Sequence, residues 1–122
     1  MQKVSIVKGE DRKENIVRAI KLVWEDIEKA IKSKKSKQLF IKINAIDVNL
    51  PLACTHIDSL DAVLSVFYEK FDKIIVGDNS FAFMKNNGLP YSKLSNKFSK
   101  VKFSDLTEFE TESIGFKKLD GK

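Results

Sequence analysis

Apolar residues recur along this chain with two different periods, and the switches between them mark an alternation of strand and helix. Lys3-Val4-Ser5-Ile6-Val7 is short and rich in β-branched residues, as a strand should be, and Lys8-Gly9-Glu10-Asp11 breaks it. From Asp11 to Lys32 the apolar positions Ile16, Val17, Ile20, Val23, Trp24, Ile27 and Ile31 fall three and four apart, which predicts one long amphipathic helix. Asp11 and Glu14 suit the positive end of its dipole, while Lys32, Lys34 and Lys35 suit the negative end. Gln38 to Ile43 is an apolar run broken only by Lys42, of the kind found in central parallel strands. Asn44 to Cys54, with Asn49 and Pro51, reads as a loop. Thr55-His56-Ile57-Asp58 has the spacing of a capping box, and Ile57, Leu60, Val63, Leu64, Phe67 and Phe71 trace a helix behind it. Lys73 to Val76 is the next strand, ending abruptly at Gly77-Asp78-Asn79-Ser80. The rest reads as a short helix through Phe81, Phe83 and Met84 stopping at Asn87-Gly88, a helical turn after Pro90, and weaker strands at Val101–Phe103 and near Phe109–Phe116.

The order β-α-β-α-β predicts a parallel sheet, because joining parallel strands takes crossovers of at least about 10 residues and these are longer. The expected fold is therefore α/β, a three-layer Rossmann-like arrangement in which strands 3–7, 38–43 and 73–76 run parallel with helices near 12–32 and 57–71 packed on them. A length of 122 residues suits one α/β domain. The last 18 residues are the least patterned: either they form an edge hairpin, or they belong to a domain that continues beyond this chain.

Composition narrows the chemistry mainly by exclusion. Cys54 is the one cysteine, so the chain forms no internal disulfide and ligates no iron–sulfur cluster with its own cysteines. No apolar run approaches the roughly 18 residues of a membrane helix, and the start of the chain lacks a signal-peptide pattern, which points to a cytoplasmic setting. No Gly-x-Gly-x-x-Gly or Gly-x-x-x-x-Gly-Lys motif is present to cradle a nucleotide phosphate.

In parallel sheets ligands gather outside the carboxyl ends of the strands. The first strand would deliver Lys8, Gly9 and Glu10 to that rim, the second Lys42, Asn44 and Asp47, and the third Gly77, Asp78, Asn79 and Ser80. The loop before the second helix adds Thr55 and His56. Lys42 could hold an anion, Asn44 and Ser80 could position it, and His56 with Asp78 forms a titratable pair or two metal ligands. Each also has a bland reading: helix capping for His56, turn chemistry for Asp78 and Asn44, an outward-pointing end for Lys42, and packing for Cys54.

The chain carries 22 basic and 17 acidic residues. Residues 1–50 hold 12 of the basic and 7 of the acidic ones, whereas residues 105–122 hold 3 and 5. Twenty of the basic residues are lysine, which argues against base-specific nucleic-acid recognition, where the arginine fork predominates. Residues 79–104 contain no acid and interleave Lys85, Lys93, Lys97, Lys100 and Lys102 with aromatic residues. That pattern fits weak, non-specific binding of single strands, or a solvated lysine face over an aromatic core.

Phe40-Ile41-Lys42-Ile43-Asn44, then Thr55-His56, then Ile74-Ile75-Val76-Gly77-Asp78-Asn79-Ser80 resemble the N-terminal part of the family named "domain of unknown function 362". That family ends one strand in Lys-Pro-Asn, opens the next helix with Thr-His-Pro, and ends the following strand in Val-Gly-Asp-Ser. The resemblance spans residues 3–80. It departs at Ile43 and Ile57, where the family has proline, at Asn79, which intervenes before Ser80, and at the C-terminus, where the family's domain continues. It implies a fold and a candidate rim but no reaction. Two readings of function follow: a small anionic or metal-linked ligand bound at the rim, or an interaction module that forms oligomers or pairs with a partner chain through its C-terminal segment, with Phe109, Ile114 and Phe116 in contact.

Overall fold

The computed structural model describes residues 2–35, 37–47, 49–79, 83 and 85–106. Among the described residues the main helices and strands run in the order α1 (Arg12–Leu22), α2 (Trp24–Ser33), β1 (Gln38–Lys42), α3 (Ile57–Phe67), β2 (Lys73–Asp78) and β3 (Val101–Asp105). The strands form one sheet in the order β1-β2-β3, and both pairings are parallel. The chain is thus an α/β protein with a parallel sheet.

Lys3–Val7 is not one of the strands. Val4 and Ile6 are each 86% exposed, and the third parallel strand is Val101–Asp105 instead. Strand propensity reports how well a side chain suits a pleated, half-buried surface, and this segment has no such surface to join. Lys3 pairs with Asp26 of α2 at 3.5 Å. Lys8, Gly9 and Glu10 accordingly take no part in the strand-end rim.

The single helix expected from Asp11 to Lys32 is two. Asp11 caps α1, its carboxylate accepting from the Glu14 amide at 2.8 Å. At Val23 the backbone leaves the helical region (φ −116°, ψ 19°) and α2 begins anew. No glycine or proline marks the break, so periodicity passes over it. The break separates α1, which packs on α3, from the turn that sets Trp24 against Phe67 of α3 at 6.0 Å between ring centroids.

The start of α3 also differs by one residue from the expected capping box. His56, not Thr55, is the cap, and its Nδ1 accepts from the Asp58 amide at 3.1 Å. Just past the other end, Lys100 Nζ donates to the carbonyls of Tyr68 and Phe71, both at 2.6 Å, and lies 4.3 Å from the centre of the Tyr68 ring. Tyr68 caps α3 and Phe71 ends the turn behind it, so one cation ties the helix end to the chain that leads into β2.

Register places Leu39, Ile74 and Val101 side by side, and then Ile41, Val76 and Phe103. These six share one face of the sheet, where Leu60 and Leu64 of α3 gather with Phe71, Phe83, Tyr91 and Phe98 into the hydrophobic core. Phe40, Ile75 and Lys102 lie on the other face, followed by Lys42, Gly77 and Ser104. A helical turn at Tyr91–Asn96 follows Pro90 as expected, and Asn87 and Gly88 (φ 53° and 76°) make the left-handed stop before it. Most of the short helix at 81–84 lies outside the described residues, as do the strand expected at 109–116 and any edge hairpin.

β2 is central and buried from Ile74 to Asp78. At Gly77 a β-carbon would stand 2.3 Å from the Ser104 carbonyl oxygen and 2.7 Å from a Leu106 methyl. The first of these is backbone in the neighbouring strand and cannot give way cheaply. Gly77→Ala is therefore expected to lower the unfolding free energy by about 2 kcal/mol or more, measured by urea denaturation.

Candidate functional site at the strand ends

The ends of β1 and β2 do meet, and the centre of their junction is a buried carboxylate. Asp78 is 4% exposed. One of its oxygens accepts from the Ala45 amide at 2.7 Å; the other accepts from the Asn79 amide at 2.9 Å and from Lys42 Nζ at 2.6 Å. Lys42 stands in register with Gly77, one residue short of Asp78, so the two side chains start from opposite faces. The long lysine chain folds around the strand end to reach its partner, also donates to the Ile43 carbonyl, and remains half exposed. Burial pushes the Asp78 carboxyl up; the hydrogen bonds from Lys42, Ala45 and Asn79 and the lysine charge more than reverse this, so it titrates below the ordinary carboxylate value.

Asn44 and Thr55 form a second clasp. The Asn44 amide donates to Thr55 Oγ1 at 3.0 Å, and the Thr55 amide donates back to the Asn44 carbonyl at 2.8 Å. Asn44 Oδ1 accepts from the Ile46 amide, closing a tight local turn. Beneath them Tyr91, 2% exposed, donates to the Thr55 carbonyl at 2.7 Å. Burial and the neighbouring Cys54 thiol push the Tyr91 hydroxyl up to about 12, so it stays a neutral donor. Cys54 donates to the Asp47 carbonyl at 3.0 Å. The loop between β1 and α3 is thereby tied down at both ends.

Of the residues singled out in the sequence, Lys42, Asn44, Thr55, Gly77 and Asp78 converge on this junction. Ser80 lies outside the described residues. His56 stands at the edge, where it lines a cavity of about 160 Å³ with Cys54, Thr55, Ile57 and Tyr91. No ion pair or hydrogen bond joins His56 to Asp78: the histidine faces Asp58, with 3.6 Å between Nδ1 and Oδ2, while Asp78 is held by Lys42. Among the described residues no group of three or more His, Cys, Asp or Glu side chains could hold a metal ion. Two participants escaped the sequence reading. The Ala45 amide carries no side-chain signal at all, and Tyr91 looked like one more aromatic in a lysine-rich stretch.

Two of the lysines in that stretch are internal fasteners. Lys97 and Lys13 both hold Asp61 of α3 at 2.9 Å, tying the 91–96 turn and α1 to the same carboxylate. Burial works to raise the Asp61 pKa, and the two lysines together bring it below the ordinary value. Lys100 is the cation that closes the end of α3. Comparison with known protein families, curated proteins and solved structures finds no match to this chain.

The depressed Asp78 carboxyl adds stability in full above the unfolded value, near pH 4, and that contribution is lost as pH falls through the lower folded value. Asp78→Asn should therefore be clearly less stable than wild type near pH 7, and the gap between their denaturation midpoints should close as the pH drops below about 4. Asp78→Ala, which also leaves the buried Ala45 amide without an acceptor, should cost about 2–4 kcal/mol at neutral pH. A pH-independent gap would show that the carboxylate charge contributes nothing.

Proposed function

We propose that this chain is a non-catalytic interaction module that binds another protein chain. The observation that carries the reading is a contrast at the strand ends. Lys42, Asn44, Thr55 and Asp78 hydrogen-bond to one another and to backbone, whereas Ile46, Leu50 and Leu52 of the adjoining loop are exposed, Leu52 completely. Leu89 is exposed as well. Solvated apolar side chains on a loop whose backbone is held by hydrogen bonds suit association better than catalysis. Of the motifs behind the resemblance to the "domain of unknown function 362" family, Lys42, Asn44, Thr55, Gly77 and Asp78 meet at this junction, which supports a similar strand-end architecture and implies no reaction. None of the described helices is long and apolar enough to cross a membrane.

A second reading keeps the small anionic or metal-linked ligand, now at the cavity beside His56. It is favoured by one feature: His56 Nδ1 is engaged with the Asp58 amide, and the ring is otherwise half exposed at the cavity mouth.

Isothermal titration separates the two. With inorganic phosphate, Mg²⁺ and Zn²⁺, the interaction reading expects no saturable heat. Binding that disappears in His56→Ala would establish the ligand reading instead. Loss of the Mg²⁺ or Zn²⁺ heat would mark a metal, and loss of the phosphate heat an anion. In sedimentation velocity the wild type is expected to associate with rising concentration, and the Leu50→Ser/Leu52→Ser double variant to do so less, with an unchanged melting temperature.

A further inference from the structure

We propose that the apolar trough beside α2 is a docking surface for an acidic amphipathic peptide of a partner protein. The proposal rests on the reading of the chain as an interaction module. Two grooves adjoin the Trp24–Phe67 contact, one lined by Trp24 and the other by Phe67. One, of about 400 Å³, is floored by Val17 and Val66 and edged by Lys21 and Lys70. The other, of about 520 Å³, is floored by Ile31 and Phe71 and edged by Lys34. Helix α2 has an apolar side but no buried residue, so its hydrophobic stripe is covered only in part.

Charge identifies the occupant. Three lysines and no carboxylate line the two grooves. From Lys29 to Lys42 the chain holds six lysines and no acid. Of the three acids on α2, Asp26 and Glu28 pair with Lys3 and Lys32, each at 3.5 Å, and Glu25 lines neither groove. An apolar floor with a positive edge is complementary to apolar anchors flanked by Asp or Glu. Shape decides between a peptide and a lipid surface. Membrane-seeking helices push an apolar face outward into the headgroups, whereas these grooves are concave and take side chains in.

Trp24 is the only tryptophan; it lines the first groove, with Lys70 Nζ 5.4 Å from its ring centre, and touches Phe67 of the second, so its emission reports occupancy. The probe is a synthetic helix of about 14 residues with leucines three and four apart and glutamates elsewhere; the control replaces every glutamate with lysine. The full chain should give a saturable shift of Trp24 emission with the glutamate peptide and none with the lysine peptide. Lys34→Glu/Lys70→Glu should weaken the glutamate peptide by about tenfold or more and admit the lysine peptide, with an unchanged circular-dichroism melt.

Equal binding of both peptides, no Trp24 response, or indifference to the double charge reversal would overturn the proposal. So would a Trp24 shift with phosphatidylcholine vesicles containing phosphatidylserine but not with the peptide, which would assign the trough to membranes. A shift that grows with protein concentration alone would overturn it in favour of a second copy of this chain. If the peptide fails while the association sensitive to Leu50 and Leu52 persists, the docking surface falls and the interaction reading stands.

Discussion

Three donors converge on the Asp78 carboxylate: the Ala45 amide, the Asn79 amide and Lys42 Nζ. A buried charge is tolerated only when it is paired and hydrogen-bonded, and here each donor comes from a different part of the junction. Lys42 closes β1, Ala45 opens the loop that leads to α3, and Asn79 carries the chain out of β2. Parallel strands have no hairpin to hold their ends together. The carboxylate supplies that missing link, which fixes how the loop leaves the sheet and therefore where Thr55 and His56 lie.

The same logic recurs on the helical side. Asp61 takes Lys13 from α1 and Lys97, which caps the 91–96 turn, so one carboxylate on α3 gathers two elements distant in sequence. Lys100 reaches back from the approach to β3 to the carbonyls at the end of α3. Part of the lysine excess that suggests an external polyanion is used inside the fold. Lys34, just past α2, is different, since it borders an apolar groove, whereas Lys32 in the last turn of α2 pairs with Glu28. Internal and external uses of one residue type are separated by what the fold brings within reach.

The sheet's two faces divide the molecule's tasks. Leu39, Ile41, Ile74, Val76, Val101 and Phe103 meet the helices and make the core. Opposite them, Gly77 lets Ser104 and Leu106 approach closer than any side chain would allow. A central strand buried from Ile74 to Asp78 needs apolar or small residues on both faces and a satisfied polar group at its end, and β2 has all of these.

How much of this was legible in the residues depended on how local the cause was. The α/β class, the parallel pairing of 38–42 with 73–78, helix α3 and the convergence of Lys42, Asn44, Thr55 and Asp78 all follow from hydrophobic period and strand order, which neighbouring residues specify by themselves. Asp11 as a cap and Asn87-Gly88 as a stop are likewise local chemistry. The tertiary structure decided the rest. It denied Val4 and Ile6 a sheet to join and gave the third place to Val101–Asp105. It broke the first helix at Val23 without a breaker residue, so that α1 and Trp24 could both pack on α3. His56 and Asp78 share a rim in the sequence argument, yet each found a nearer partner in Asp58 and Lys42. Residue type and spacing determine which groups can interact; only the path of the backbone decides which of them come within 3 Å, because hydrogen bonds and ion pairs fall off over distances shorter than one residue's reach.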